Sequence, residues 1–250
     1  MKLSVIMPVY NRERFVVPAL RSLLRQRDGA DLDIIVIDDG STDGSVEAVR
    51  AMMDKDTCIR LFRQAHIGVA GARNAGLRQL PADAGFVSFL DSDDISLANR
   101  FKADLDHFET HPGLDLTYSL MTVVDRIDDE TLEPAANSRI MTLRGLSLST
   151  ALFSRALVDR IGWFDEEFEL SEDTDYLLRV FETGPRFELL DSVAVYYRRH
   201  AGNATRENNR RLRDHLRAMH KSMRRRRADP SLREAPGIFE FKSPPDWQVM

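Results

Sequence analysis

Asp33-Ile34-Ile35-Val36-Ile37-Asp38-Asp39-Gly40-Ser41 is a run of four β-branched apolar residues that breaks into an acidic, glycine-containing turn. A short run with no polar alternation, ended by turn residues, reads as a strand covered on both faces. On its N-terminal side, Arg12 to Gln26 places Phe15, Ala19, Leu20, Leu23 and Leu24 on one helical face, and Leu3 to Val9 before it is a second buried strand. On its C-terminal side, Gly44 to Met53 has helical spacing through Val46, Val49 and Met53, Ile59 to Phe62 is a strand, Val69 to Leu80 a helix and Phe86 to Leu90 a fourth strand. Strands alternating with helices of this length predict parallel βαβ units, an α/β class with a mostly parallel, Rossmann-like central sheet flanked by helices. Ligands then sit beyond the carboxyl ends of the strands. Polar residues gather at those ends: Tyr10-Asn11, Asp38-Asp39-Gly40-Ser41, His66 to Asn74, and Asp91-Ser92-Asp93-Asp94.

Beyond residue 97 the alternation weakens into a mixed α+β plan. Helices are expected near Ala98 to Glu109, Ser154 to Ile161 and Ser171 to Glu182, and strands near Asp115 to Val124, Arg186 to Leu190 and Val193 to Tyr197, with a hairpin or loop from Asp125 to Ser138. The division this suggests is 1–97 for one half of the site, 98–204 for the other, and 205–250 for a C-terminal basic amphipathic helix and extended tail.

The chain has 250 residues, 43% hydrophobic and 30% charged, which excludes a disordered, collagenous or disulfide-stapled protein. Its formal charge of −5 argues against nucleic acid as a partner. The charge is uneven: Arg198 to Arg227 holds 12 Lys and Arg against Glu207 and Asp214 alone. Cys58 is the only cysteine, so neither an intrachain disulfide nor a cysteine-based zinc site can form, and a reducing, cytoplasmic setting is expected. No apolar run reaches the ~20 residues needed to span a bilayer, so membrane contact would be peripheral, at the inner face.

Three carboxylates in Asp91-Ser92-Asp93-Asp94 repel one another unless a cation compensates them, and hard oxygen ligands favour Mg²⁺ or Mn²⁺ beside phosphate oxygens. An acidic turn capping the next helix would have the same composition. Asp39 at the neighbouring strand end can accept from a base or ribose, and the Tyr10 ring offers a stacking face, although each also reads as turn or core-edge chemistry. Glu172-Asp173-Thr174-Asp175 sits where a helix's first turn favours acids. Neither GxGxxG after the first strand nor GxxxxGK[ST] is present, which sets aside dinucleotide oxidoreductases and P-loop NTPases.

Taken together the motifs resemble the family 2 glycosyltransferases with the GT-A fold. Val5-Ile6-Met7-Pro8-Val9-Tyr10-Asn11, Val36 to Asp43, Gly71-Ala72-Arg73-Asn74-Ala75-Gly76, the DxD-like Phe89-Leu90-Asp91-Ser92-Asp93-Asp94, Gly162-Trp163-Phe164-Asp165-Glu166 with Glu172-Asp173 and Arg179, and Tyr197-Arg198-Arg199-His200 follow in the family's order over roughly residues 1 to 200. The resemblance implies sugar transfer from a nucleoside diphosphate sugar, by family habit a UDP-sugar, to a glycan or lipid-linked acceptor hydroxyl, with inversion. It implies nucleotide-sugar contacts at Pro8, Tyr10, Asn11, Asp39, Arg73, Asp91, Ser92 and Arg198. Mn²⁺ or Mg²⁺ would lie on Asp93 and His200, the acceptor and sugar would be positioned by Trp163 and Glu172, and Asp173 would act as general base. Two departures stand out: no proline follows near Ala98, and no QxxRW element follows the Glu172-Asp173 pair, so one sugar per encounter is expected rather than processive synthesis. A sugar-nucleotide nucleotidyltransferase would need a glycine- and arginine-rich loop where Pro8-Val9-Tyr10-Asn11-Arg12 stands, and an inactive nucleotide-sugar-binding scaffold should have lost Asp93 or Asp173.

Within Arg206 to Arg227, Leu212, Leu216, Met219 and Met223 form an apolar stripe. Packing onto the catalytic body is its first expected use, because membrane-inserting faces usually carry aromatics; homodimerisation and contact with anionic membrane are the alternatives.

Overall fold

The computed structural model describes residues 2–200, 202–203, 208–239 and 248–249. β1 (Lys2–Val9), α1 (Val16–Leu24), β2 (Asp31–Asp38), α2 (Ser45–Met53), β3 (Ile59–Arg63), α3 (Val69–Arg78) and β4 (Ala84–Phe89) alternate as the apolar runs dictate. They are followed by β5 (Ile95–Ser96), α4 (Arg100–Thr110), β6 (Leu116–Val124), a hairpin of β7 (Ile127–Asp128) and β8 (Glu133–Pro134), β9 (Arg139–Leu143), β10 (Ala151–Ser154), α5 (Arg155–Ile161), α6 (Glu172–Glu182), β11 (Phe187–Arg198), α7 (Asn208–Ala228) and β12 (Gln248–Val249).

The order β3-β2-β1-β4 is parallel throughout, with Val5 opposite Ile34 and Ser88. Leu3, Val5, Met7 and Val9 face one core with α1 and α2, while Ile6, Ile35 and Ile37 face a second core built with α3, α5 and α6. Both faces of these strands are therefore covered, which is why the sequence shows no alternation. β10 joins β4 antiparallel to the second half, where β6 has β10 and then β9 along one edge and β11, parallel, along the other. The second half is thus mixed, as expected.

Several boundaries differ for physical reasons. Arg12 to Phe15 form a turn, closed by the Phe15 amide on the Arg12 carbonyl, so Phe15 leaves the α1 core face and its ring stacks on His200 at 4.5 Å. On α2, Met52 and not Met53 is buried. The two strands expected from Arg186 to Tyr197 are one, β11, whose register against β6 shifts between Leu189 and Val195. The polar Asp191-Ser192 pair that reads as a break is a bulge with the Asp191 side chain in solvent.

The basic helix corrects the first expectation for its stripe. Arg206 and Glu207 lie outside the described residues, as do Pro244 and Pro245 of the tail. Among the described side chains of α7, the buried ones are Asp214, Ala218 and Ser222, whereas Leu212, Leu216, Met219 and Met223 are 58%, 58%, 39% and 44% exposed. The helix docks on α6 and the loop before it by charge instead. Arg217 and Lys221 reach Glu167 at 2.6 and 2.9 Å, Lys221 also meets Asp165, and Arg225 binds Asp175 at 2.9 Å and Glu182 at 2.7 Å. Asp175 and Glu182 are buried acids that need such a partner, so the cationic side of the helix turns inward and the apolar stripe is left outside. Among the described residues no helix is long and apolar enough to cross a membrane.

Candidate active site

Three clusters meet at the carboxyl ends of β1, β2 and β4. The first is built by the loop from β3 into α3. Gly68 holds φ +92° at the N-cap of α3, a conformation only glycine adopts cheaply, and its amide donates to Asp39 at 2.9 Å. Ile67 N and Gln64 Nε2 donate to the same carboxylate at 3.1 and 2.7 Å, and His66 Nδ1 lies 2.7 Å from it. Asp39 is consequently buried and occupied as the anchor of this loop. What it presents outward is the His66 ring, stacked on Tyr10 at 3.9 Å and 15°. Asn11, at φ +52°, accepts from Thr42 N at its Oδ1 and donates its backbone N–H to Ser41 Oγ, tying the end of β1 to the turn after β2. Pro8 is buried within β1, opposite Ile37.

The second cluster surrounds the acid run after β4. Asp93 Oδ2 is 3.0 Å from His200 Nε2 and 3.1 Å from Arg12 Nε. Burial works against its ionised form, but the hydrogen bond from His200 and the Arg12 charge hold the carboxyl below the usual range. Asp94 is buried beside Asp93 and Asp91, and burial together with their charge pushes it well above that range, even though Arg198 N donates to it at 2.9 Å. Its second carboxylate oxygen is buried without a partner. A group of acids with an orphaned oxygen beside an imidazole is a donor set suited to a hard divalent cation. His200 Nδ1 accepts from Gly202 N at 3.1 Å, so Nε2 carries the proton given to Asp93; ligating a metal through Nε2 requires that tautomer to switch and the Gly202 bond to open. His107, His111 and Glu188 also gather within 4.8 Å, but at the end of β11 far from Arg198. Ser92 is buried at the same turn as Asp93. Arg198 is turned inward, its Nε on the Asp93 carbonyl at 3.0 Å and Nη2 on Asp129 at 2.7 Å.

The third cluster joins the two halves of the chain. Gly76 lets α3 lie against β1, since a Cβ there would strike Ile6. This close approach aims Arg73, only 3% exposed, between Asp91 at 2.8 Å and Glu172 on α6. Asp173 is the next residue, in the first turn of α6, with its Oδ1 accepting from Thr174 N at 2.6 Å, and its charge acts on Arg73 as well. Asn74 fastens the loop before α6: it accepts from Phe164 N at 2.7 Å and donates to the Phe164 carbonyl at 3.0 Å and Glu166 at 2.7 Å. Trp163 lies apart, half exposed with Arg78 over its ring at 5.2 Å, five residues beyond Arg73 on α3.

Of the residues read from sequence, the structure brings Asp91, Arg73, Glu172 and Asp173 to one centre and Asp93 with His200 to the next. Arg12 and His66 were given no role by sequence: Arg12 follows the Tyr10-Asn11 pair directly, and His66 opens the glycine-punctuated loop, but neither carries a spacing pattern.

Burial pushes the Glu172 carboxyl up to about 7 against the pull of Arg73, with Asp173 adding to the rise. An acid raised in the folded state contributes stability below its unfolded value that is lost as pH rises through the folded one. Wild-type stability should therefore fall relative to Glu172→Gln between about pH 4.5 and about 7, read from urea midpoints across that range; parallel profiles would contradict this.

A parallel sheet continuing into a mixed half, with an acidic turn after the fourth strand and an acid-bearing helix facing it, is the architecture of the GT-A fold. Residues 4–165 match the sequence profile of glycosyl transferase family 2, and the chain belongs to that family. It is 34% identical over 155 residues to an uncharacterized glycosyltransferase of Haemophilus influenzae, covering 56% of this chain and 60% of that one. TarS of Staphylococcus aureus, a poly(ribitol-phosphate) β-N-acetylglucosaminyltransferase, is 29% identical over 204 residues, 79% of this chain and 35% of TarS. Its 1–349 fragment in complex with UDP-GlcNAc superposes with a TM-score of 0.71 at 24% identity, covering 89% of this chain and 65% of the fragment. The mannosyltransferase PcManGT of Pyrobaculum calidifontis, in complex with GDP-Man and Mn²⁺, superposes at 0.67 with 20% identity, covering 98% and 66%. The chain thus spans less than two thirds of the length of these relatives.

Proposed function

We propose that this chain transfers a single sugar, with inversion, from a nucleoside diphosphate sugar, a UDP-sugar by preference, to a hydroxyl of a glycan or lipid-linked acceptor. The observation that supports this most is Arg73, which binds both Asp91 of the acid turn and Glu172 of α6, the neighbour of Asp173. Residues 1–97 hold the donor and 98–204 complete the acceptor side. The Tyr10 and His66 rings take the base, on the loop that Asp39 anchors. Asp173 accepts the acceptor hydroxyl proton as the oxygen lone pair forms its bond to the anomeric carbon. The bond from that carbon to the phosphate oxygen breaks on the opposite face, its electron pair leaving with the diphosphate, so one displacement inverts the centre. A divalent ion, Mn²⁺ or Mg²⁺, held by Asp93 and His200 would neutralise charge on that diphosphate. Arg73 fixes Asp91 and Glu172, and Trp163 lies at the outer rim of the acceptor side.

A panel of sugar nucleotides scored by thermal unfolding with Mn²⁺ tests donor binding. The matching donor at ~100 times its Kd should stabilise by ~2.7 kcal/mol. No shift with any nucleoside diphosphate sugar would overturn the reading.

A further inference from the structure

The row Leu212, Leu216, Met219 and Met223 runs along three turns of α7 and is 39% to 58% exposed, while the side of the helix that holds the body is made of Asp214, Ala218, Ser222 and the ion-paired Arg217, Lys221 and Arg225. Among the described residues, the apolar row belongs to none of the hydrophobic clusters that make up the core or hold α7 to the body. At about 100° per residue the row is flanked on one side by Arg213, His220, Arg224 and Arg227, all exposed. Within α7 nine Lys and Arg stand against Asp214 alone, on a chain whose formal charge is −5. An apolar strip rimmed by arginines on an outward helix face is complementary to the interface of an anionic bilayer, where the aliphatic side chains sit at the headgroup boundary and the guanidinium groups meet phosphates. A second copy of the chain is the poorer occupant, because pairing two such helices brings two strongly cationic surfaces together.

We infer that the outward face of α7 is a binding site for anionic lipid, by which the protein lies peripherally on a membrane. Asp214 of the same helix accepts from Leu170 N at 3.1 Å, close to the start of α6 that carries Asp173. Resting on the transferase reading, this would bring the acceptor side towards the bilayer and suit a lipid-linked acceptor. Binding to lipid is separable from transfer.

The experiment is sedimentation of the full chain with vesicles containing phosphatidylglycerol, against pure phosphatidylcholine vesicles. Low-salt retention on the anionic vesicles is expected, with loss near 1 M salt, where the Debye length is ~3 Å. Arg213→Glu/Arg224→Glu/Arg227→Glu should weaken binding at least ~100-fold, from roughly 1 kcal/mol per arginine near the surface. Leu216→Ser/Met219→Ser should weaken it while leaving the charge intact. Both variants change exposed side chains, and an unchanged donor-induced thermal shift would show that they fold and that donor binding stands on its own. Absence of retention at low salt, equal retention on neutral vesicles, or a stripe variant that binds like wild type would each overturn the inference. So would a concentration-dependent dimer that the stripe variant abolishes, which would give the face to a second copy.

Discussion

Asp173→Asn should lower kcat by about 10²- to 10⁴-fold, the usual worth of a positioned general base, while the protein stays folded and still binds its donor. The amide is nearly isosteric and keeps the oxygen that accepts from Thr174 N, so the first turn of α6 has no reason to rearrange. It cannot take a proton from the acceptor hydroxyl. The loss should fall on kcat with the donor KM little changed, because the donor contacts proposed at Tyr10, His66 and Asp93 lie in other clusters. Steady-state kinetics on the purified variant, with unfolding measured alongside, separates the two effects. Full activity in Asp173→Asn would remove the residue from the mechanism.

The second large effect is at Arg73. Its side chain is 4% exposed and that of Glu172 is 8% exposed, so Arg73→Met would strand a buried carboxylate. Breaking a buried ion pair from one side costs about 3–5 kcal/mol. Part of this is recovered if Glu172 takes up a proton, which its rise to about 7 makes inexpensive near neutral pH. The loss in Arg73→Met should therefore be larger at pH 8 than at pH 6. Adding Glu172→Gln in the same background should restore part of the stability, since it removes the stranded charge. Urea unfolding of the two variants at both pH values reads this directly. A single variant within about 0.5 kcal/mol of wild type would mean that the guanidinium does not hold the two halves of the site.

Both effects rest on residues that stand out in the sequence, whereas the partners each one touches are set by the tertiary structure. The strands were legible because β1, β2 and β4 are covered on both faces and so lack alternation, and the helices between them because their apolar faces repeat. Phe15 lies off the face its spacing predicts, since helical spacing continues into the turn closed on the Arg12 carbonyl, where its ring meets His200. The stripe of α7 shows the limit of periodicity most plainly. Spacing identifies an apolar row but not the surface that the helix meets. Here that surface is acidic, with Asp165, Glu167, Asp175 and Glu182, and ion pairing decided the orientation.

In the site, acidic runs and glycines were legible because they are costly without a reason: three neighbouring carboxylates demand compensation, and Gly76 marks a close helix-to-strand approach. Single partners such as Arg12 and His66 were not, because an isolated arginine or histidine carries no period. Asp39 was legible as important but not in its manner of use: its carboxylate is filled by Ile67, Gly68, Gln64 and His66.

The most direct measurement of the central claim is the fate of a sugar nucleotide. The purified protein is incubated with the donor that stabilises it, with and without Mn²⁺, and the nucleotide products are quantified by mass spectrometry. The account predicts release of the nucleoside diphosphate, slow to water and fast with an acceptor hydroxyl, dependent on the divalent ion and strongly reduced in Asp93→Asn. Formation of a nucleoside triphosphate that depends on added pyrophosphate, or donor binding with no cleavage under any condition, would contradict it.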